Sequence, residues 1–366
     1  MQFVLLSLLS CLLTTALVES FATTATSVVR SSRVGNSLAS SSTTDETAAN
    51  ADTTAPSTLP DKLLQGDRYV ASNRFAVRAG KEAKFEKRWA TRKSRLAELD
   101  GFKYFHLMRR VTLDDDDGVN YDGGKKRSEN PPMGNYVSLT VWENKGNFNT
   151  WRKGNAFKEA HGGTSIGAFM STMMSSLRIL RGAPKPAFYD GLLVQSTAPK
   201  FMPETVDGWR NVEVPDDGST LPVECFVACN QFFVPKENAV AFEQRWKNRD
   251  SQLPLCEGFV AFSMMRRDAK TKTHSSVAMD ETVEPTYVST TIWQDRASFD
   301  KWRSGSKFSQ AHGQKKDGDD KQKNESTSDN AAPQKPPQAP GPPMWNRPPK
   351  PIFYEGTLVI STAEGI

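Results

Sequence analysis

Apolar and polar positions along this chain follow two registers in turn, and the same succession occurs twice. Strand-like alternation over Tyr69 to Arg78 gives way to a helical stripe of Phe85, Trp89, Leu96 and Leu99 on one face. A Gly101-Phe102 turn opens a second strand, Phe102 to Val111, followed by a polar loop holding Asp114 to Asp117. Tyr136 to Trp142 alternates again and predicts a third strand. A second helix is expected from about Gly146 to His161, and a fourth strand from Ala187 to Ser196. The later pass gives strands at Glu224 to Val234, Phe259 to Arg267, Tyr287 to Trp293 and Ile352 to Ser361. Its helices carry Phe242, Trp246 and Leu253, and then run from Arg296 to His312.

The identities agree with the pattern. Asn73, Phe85, Trp89, Arg92, Gly101, Phe105, Met108 and Arg109 return 157 residues later as Asn230, Phe242, Trp246, Arg249, Gly258, Phe262, Met265 and Arg266. Tyr136, Trp142, Phe148, Trp151, Phe157 and His161 return 151 later as Tyr287, Trp293, Phe299, Trp302, Phe308 and His312. Phe188-Tyr189 returns 165 later as Phe353-Tyr354. Offsets change only inside polar or Pro/Gly-rich segments, where loops take insertions. The chain therefore contains a duplicated domain: 66–198, a linker over 199–221, and 222–364. The order β-α-β-β-α-β is the ferredoxin-like split unit, an α+β class. One face of its sheet carries two helices and the other is bare, so the two copies are expected to pack sheet to sheet as an internal pseudo-dimer.

The copies differ after the paired histidines. The first has an amphipathic stripe of Ile166, Phe169, Met170, Met173, Leu177 and Leu180, which predicts an extra helix. The second has a charged tract and then a stretch to Pro351 with nine prolines, and 313–350 is read as a disordered insert.

Composition adds limits. The net charge of +5 is scattered and gives no nucleic-acid footprint. Four cysteines in 366 residues do not make a disulfide scaffold, and Cys225, Cys229 and Cys256 lack zinc-site spacing. Residues 3–18 form the one long apolar run, of signal-peptide size, so 1–20 reads as a signal peptide and no membrane span is expected in the mature protein. Residues 21–65 are rich in Ser, Thr and Ala, carry Arg30 and Arg33, and lack an acid until Asp45, which is the composition of a disordered transit peptide. A signal peptide joined to such a segment at Ser20-Phe21 resembles the bipartite leaders of algae with complex plastids, and implies a plastid protein; simple secretion is the alternative.

No nucleophile triad, phosphate loop or dinucleotide fingerprint is present. Three repeated positions stand out. Asn73 and Asn230 interrupt apolar strands, so each needs a partner or a pocket. Trp151 and Trp302 lie on the second helices, where a tryptophan is either core or a pocket wall. His161 and His312 end those helices, as caps favoured by the helix dipole or as iron ligands or acid/base groups.

Asn73-Arg74-Phe75, Phe85-x-x-x-Trp89, Gly101-Phe102, Thr140-x-Trp142, Phe148-x-x-Trp151 and Phe157-x-x-x-His161 resemble the antibiotic biosynthesis monooxygenase (ABM) superfamily, and more narrowly its Isd-type haem-degrading branch. That resemblance implies an intramolecular dimeric α/β barrel. It implies a haem oxygenase that opens the macrocycle with O2 and an external electron donor and releases iron, haem being both substrate and cofactor. By the same resemblance His161 and His312 would bind haem iron, Asn73 and Asn230 would hydrogen-bond on the distal side, and Trp151 and Trp302 would press on the macrocycle. A ferredoxin would suit the mildly basic surface as reductant. The alternatives are a cofactor-free ABM monooxygenase acting on a quinol or aromatic substrate, and a non-enzymatic haem-binding protein. The second copy departs at Gln231, which replaces Arg74, and in the Pro-rich insert that replaces the extra helix.

Overall fold

Eight strands form where the alternation places them. A computed structural model describes residues 62–113, 134–160, 166–197, 204–214, 217–249, 251–271, 284–306, 308 and 344–362. The leader through residue 61, the aspartate loop, His161, His312 and insert residues 313–343 lie outside the described residues. In the first copy the strands are β1 (Arg68–Phe75), β2 (Phe102–Val111), β3 (Tyr136–Trp142) and β4 (Lys185–Ser196). In the second they are β5 (Cys225–Phe232), β6 (Phe259–Arg267), β7 (Tyr287–Trp293) and β8 (Lys350–Ser361). Helices α1 (Glu82–Ala90), α2 (Lys145–Lys153), α3 (Asn155–Ala160) and α4 (Ile166–Ile179) belong to the first copy. Helices α5 (Ala239–Lys247) and α6 (Arg296–Ser304) belong to the second.

The second helix of the first copy is shorter than its pattern suggests. Asn144 caps α2 by accepting a 3.0 Å hydrogen bond from the Asn147 N–H, and Asp295 caps α6 in the same way from Ser298. Gly154 then ends α2 in an extended conformation, so Phe157 falls on the separate short helix α3. Gly305 ends α6 likewise.

The two sheets meet at their edges as well as face to face. The strand order β1-β3-β2-β8-β5-β7-β6-β4 closes into an antiparallel barrel, with β4 pairing β6 and β8 pairing β2 across the copies. Closure removes every free sheet edge. The long strands β4 and β8 turn the corners. Each carries a register shift, where Leu193 and Leu358 adopt φ of 52° and 50°. A bulge of this kind bends a strand enough to hand it from one sheet to the next.

Alternation then sorts the side chains into three cores. Val70, Leu139, Val141, Val227, Cys229, Ile292 and Tyr354 fill the barrel. Tyr69, Phe75, Phe85, Trp142, Phe148 and Phe188 fill the layer between the first sheet and its helices, and Phe226, Phe232, Phe242, Trp293 and Phe299 do so in the second. At about 25 cal/mol per Å2 of apolar surface, such aromatic-rich layers are the main stabilising term.

A buried ionic lock ties the copies together. Glu86 on α1 is fully buried, takes two hydrogen bonds from Arg109 and one from the Tyr136 hydroxyl at 2.6 Å, and accepts the Leu221 N–H from the segment leading into the second copy. Glu243 on α5 repeats this with Arg266, Tyr287 and the Leu64 N–H from the segment leading into the first copy. The segment leading into each copy thus satisfies the other copy's carboxylate. Burial, with Glu86 beside it, raises the Tyr136 phenol far above its ordinary value, so it remains a hydrogen-bond donor.

Three segments expected to be unstructured or linking are packed at the points described. Leu64 engages Glu243. Linker residue Trp209 is buried in the first copy's outer core. The end of the expected insert also packs: Met344 and Trp345 lie against the second outer core, and β8 starts at Lys350. Asn346 donates its N–H to the Phe233 carbonyl, as Arg181 does to Ala76 in the first copy. Apolar anchors in these segments hold them against the domains.

Candidate functional site

In each copy the paired asparagine faces the layer between the sheet and its helices, the candidate groove. On β1, Tyr69, Ala71 and Phe75 pack in the helix-facing core while Val70 packs in the barrel, so alternation turns Asn73 to the helices. The register sets Asn73 between Ser138 and Pro186. Its side chain has no hydrogen-bond partner among the described residues. Asn230 repeats the position on β5, between Ser289 and Pro351.

Trp151 and Trp302 reach the same grooves from the helices. Trp151 stacks on Trp142 with ring centroids 5.3 Å apart and meets Phe157 edge-on at 5.0 Å. Trp302 repeats this with Trp293 at 5.3 Å and Phe308 at 4.9 Å. Trp151 therefore packs at the rung where Tyr69 pairs Trp142, while Asn73 lies four residues further along β1. At about 3.3 Å per residue these rungs are about 13 Å apart, so the tryptophan and the asparagine mark opposite ends of one groove. His161 and His312, expected to complete the sets, fall outside the described residues. The Arg74/Gln231 difference does not bear on the grooves: Arg74 points to the barrel side and pairs with Glu284 at 2.6 Å.

The first groove has a polar wall that the sequence reading missed. Tyr69, packed against Phe148 at 5.3 Å, donates its hydroxyl to Asp268 at 3.0 Å. Asp268 follows β6 and so comes from the second copy. Lys145 at the start of α2 binds the same carboxylate at 2.6 Å, and the Thr271 hydroxyl donates to it at 2.6 Å. Burial works against the charged form of Asp268, but the hydrogen bonds from Lys145, Thr271 and Tyr69 outweigh it and hold the carboxyl down at about 2. Burial raises the Tyr69 phenol well above its ordinary value. A neutral phenol donor thus faces a fixed carboxylate at the end of the groove where Trp151 packs. In the second copy Phe226 replaces Tyr69, and Leu113 packs in the same core. The sequence signal was the Tyr69/Phe226 difference, a hydroxyl lost on the helix-facing side of the paired strands.

The α4 helix follows the first groove. Its end is fixed by Arg88 donating to the Ser176 hydroxyl at 2.8 Å, and Leu180 bridges to Val77 just beyond it. Residues 166–170, 172 and 173, most of the predicted stripe, have no described side-chain placement. Among the described residues no helix is long and apolar enough to cross a membrane, and no cluster of three metal-ligating side chains occurs.

These features define a class: a dimeric α+β barrel folded from one chain, with two pseudo-equivalent grooves under its helices. The antibiotic biosynthesis monooxygenase family model matches residues 68–122 and 225–314, one segment in each copy. Each copy therefore carries a segment that the ABM family model recognises. A comparison with curated proteins finds no match. Solved structures with a similar arrangement include a protein classed as a monooxygenase from Fusobacterium nucleatum (12% identity, TM-score 0.44, covering 81% of this chain and 96% of that one). An anthrone oxidase-like protein has 9% identity and a TM-score of 0.39, covering 82% and 95%. A haem-degrading enzyme of Listeria monocytogenes has 8% identity and a TM-score of 0.26, covering 69% and 90%.

Proposed function

We propose that this ABM protein is a haem-degrading monooxygenase whose working site is the first groove. The observation that carries the reading is Asn73: a polar side chain on an apolar strand, turned to the helices and without a partner among the described residues. Its amide suits a hydrogen bond to a ligand held in the groove. Trp151 is braced by Trp142 and Phe157, so its indole is a rigid wall for a flat macrocycle. His161, four residues after Phe157, is proposed as the side chain that holds the haem iron. Haem is the substrate, and its iron supplies the O2 chemistry, with electrons from an external donor such as a ferredoxin. The leader is proposed to direct the chain to a plastid, which a fluorescent fusion to residues 1–65 tests.

Hemin titration followed by O2 and a reductant, with catalase present, tests the activity. A saturable Soret band that decays with iron release is expected, slowed at least tenfold in Asn73→Ala and little changed in Asn230→Ala. A stable bound spectrum would instead make the protein a carrier, and no Soret band would end the haem reading.

The Tyr69–Asp268 pair favours a second reading, a cofactor-free oxygenase for a quinol. A phenol donor beside a fixed carboxylate can orient a hydroxylated ring and handle its proton. Oxygenation by haem-free, metal-free protein, lost in Tyr69→Phe, would establish it.

A further inference from the structure

We infer that the second copy carries a site for a small planar heteroaromatic molecule with an N–H donor at the seam where β6 meets β4, with neither Asn230 nor Trp302 in its lining. The first copy shows what such a site holds. There Trp89 stacks on Phe105 at 5.5 Å, and the linker inserts Trp209 beside them, 5.1 Å from Phe105. The Trp209 indole N–H donates to the Trp89 carbonyl at 3.2 Å. The Arg92 guanidinium lies over both indoles, 4.8 Å from Trp89 and 5.9 Å from Trp209. The ring is fully buried, and its backbone is clasped by the Ala97 N–H donating to the Gly208 carbonyl at 3.0 Å.

Among the described residues the second copy keeps the receptor without the plug. Trp246 stacks on Phe262 at 5.9 Å, nearly parallel, and Arg249 lies 4.9 Å over Trp246. Beside them is a pocket of about 70 Å3, also lined by Leu193, Leu253 and Gln195. The exposed Lys247 stands at its rim.

Besides Lys247, which stands where the first copy has the buried Ala90, two substitutions separate this site from its twin, and those two point the same way. Gln195 stands where the first copy has Ile360, and its side-chain oxygen is buried with no partner among the described residues. A buried acceptor of this kind is costly unless something donates to it. Pro254 stands where the first copy has Ala97, so the N–H that clasps the linker backbone is missing. The second copy has therefore kept the ring slot, gained an acceptor and lost the peptide clasp. A free small molecule fits that combination better than a polypeptide segment does. The Trp246 carbonyl, in the role of Trp89, and Gln195 are the acceptors for the ligand N–H, and Arg249 covers the ring face.

Indole is the probe, titrated into the full chain without hemin, so the outcome does not depend on the haem reading. Ligand-observed NMR and calorimetry are expected to show one saturable site. Gln195→Leu should weaken it several-fold, and Leu253→Trp, which fills the slot, should abolish it. Trp209→Ala should add a second site, because it empties the twin. Saturable binding in Trp209→Ala but none in the unsubstituted chain would overturn the inference, as would binding that neither Gln195→Leu nor Leu253→Trp changes. Failure of both the unsubstituted chain and Trp209→Ala to bind would overturn it too, by showing that the twin is no guide.

Discussion

His106 makes a sharp test of the barrel interior. It sits on β2 between Phe105 and Leu107, which face the helices, and beside Tyr104 at 5.0 Å on the barrel side. Two residues of β8 oppose it at the bulge, and neither ring nitrogen has a partner among the described residues. Burial alone lowers its pKa to about 4 from an ordinary 6.5. In the unfolded chain the ring takes up its proton near pH 6.5, while in the folded barrel it stays neutral until about pH 4. Across that window the unfolded state binds the extra proton, so stability is full above pH 6.5 and falls as the pH drops toward 4. At about 1.4 kcal/mol per pH unit the loss is about 3 kcal/mol. His106→Leu keeps the volume and removes both unpartnered nitrogens, so at pH 7 it should be at least as stable as the parent. Urea unfolding followed by tryptophan fluorescence, repeated from pH 7.5 to 4, reads the difference. The gap between the two proteins should widen by about 3 kcal/mol toward pH 4. Parallel pH profiles would refute the reasoning, and would mean that the ring is hydrated or partnered in solution.

The remaining predictions concern the lock, the polar wall and the thiols. Glu86→Ala strands Arg109 and leaves the Leu221 N–H unmet, so it should cost about 3–5 kcal/mol in urea unfolding, with Glu243→Ala close behind. A variant within 1 kcal/mol of the parent would show that these networks are not the seam. Asp268 is held at about 2, so its stabilisation is present above the ordinary carboxylate range and is lost as pH falls through about 2. Asp268→Asn should flatten that acid limb in a thermal-melt series, and an unchanged limb would place the coupling elsewhere. Burial pushes Cys225 and Cys229 up to about 12, so among the three described cysteines maleimide should label Cys256 in the native protein and the other two only after unfolding.

Much of the fold was legible because the duplication repeats it. The offsets of 157, 151 and 165 residues mark the joins between elements, and the alternation in each block places all eight strands. What stayed hidden depends on contacts that no local period encodes. Edge closure of the barrel turns on Leu193 and Leu358, ordinary leucines in the pattern that take a left-handed conformation. The break at Gly154 is a single glycine inside a helical stripe. Asn73 and Trp151 stand out in the sequence because both copies keep them. Tyr69 and Asp268 were missed because their hydrogen bond spans 199 residues and only one copy has it. Glu86 looks like any surface acid on a helix until Arg109 and Leu221 close over it. Trp209 had a signal, since a lone tryptophan in a polar linker needs somewhere to be buried.

Fusing the two copies explains why the chain can be both symmetric and specialised. In a dimer of identical chains, any change in one groove appears in the other. Here one chain encodes both halves, so Tyr69 can face Asp268 in the first groove while Phe226 and Leu113 share an apolar core in the second. The same freedom lets Trp209 seal the first seam while Gln195 and Pro254 reshape the second. The differences are also interleaved. Asp268 is a second-copy residue serving the first groove, Leu113 a first-copy residue in the second outer core, and each entry segment satisfies the opposite carboxylate. Cutting the chain at the linker would therefore not return two working ABM domains. It would leave Glu86 and Glu243 each without a backbone donor and the first groove without its acid. The barrel is the smallest unit that holds the Tyr69–Asp268 pair and both carboxylate networks together.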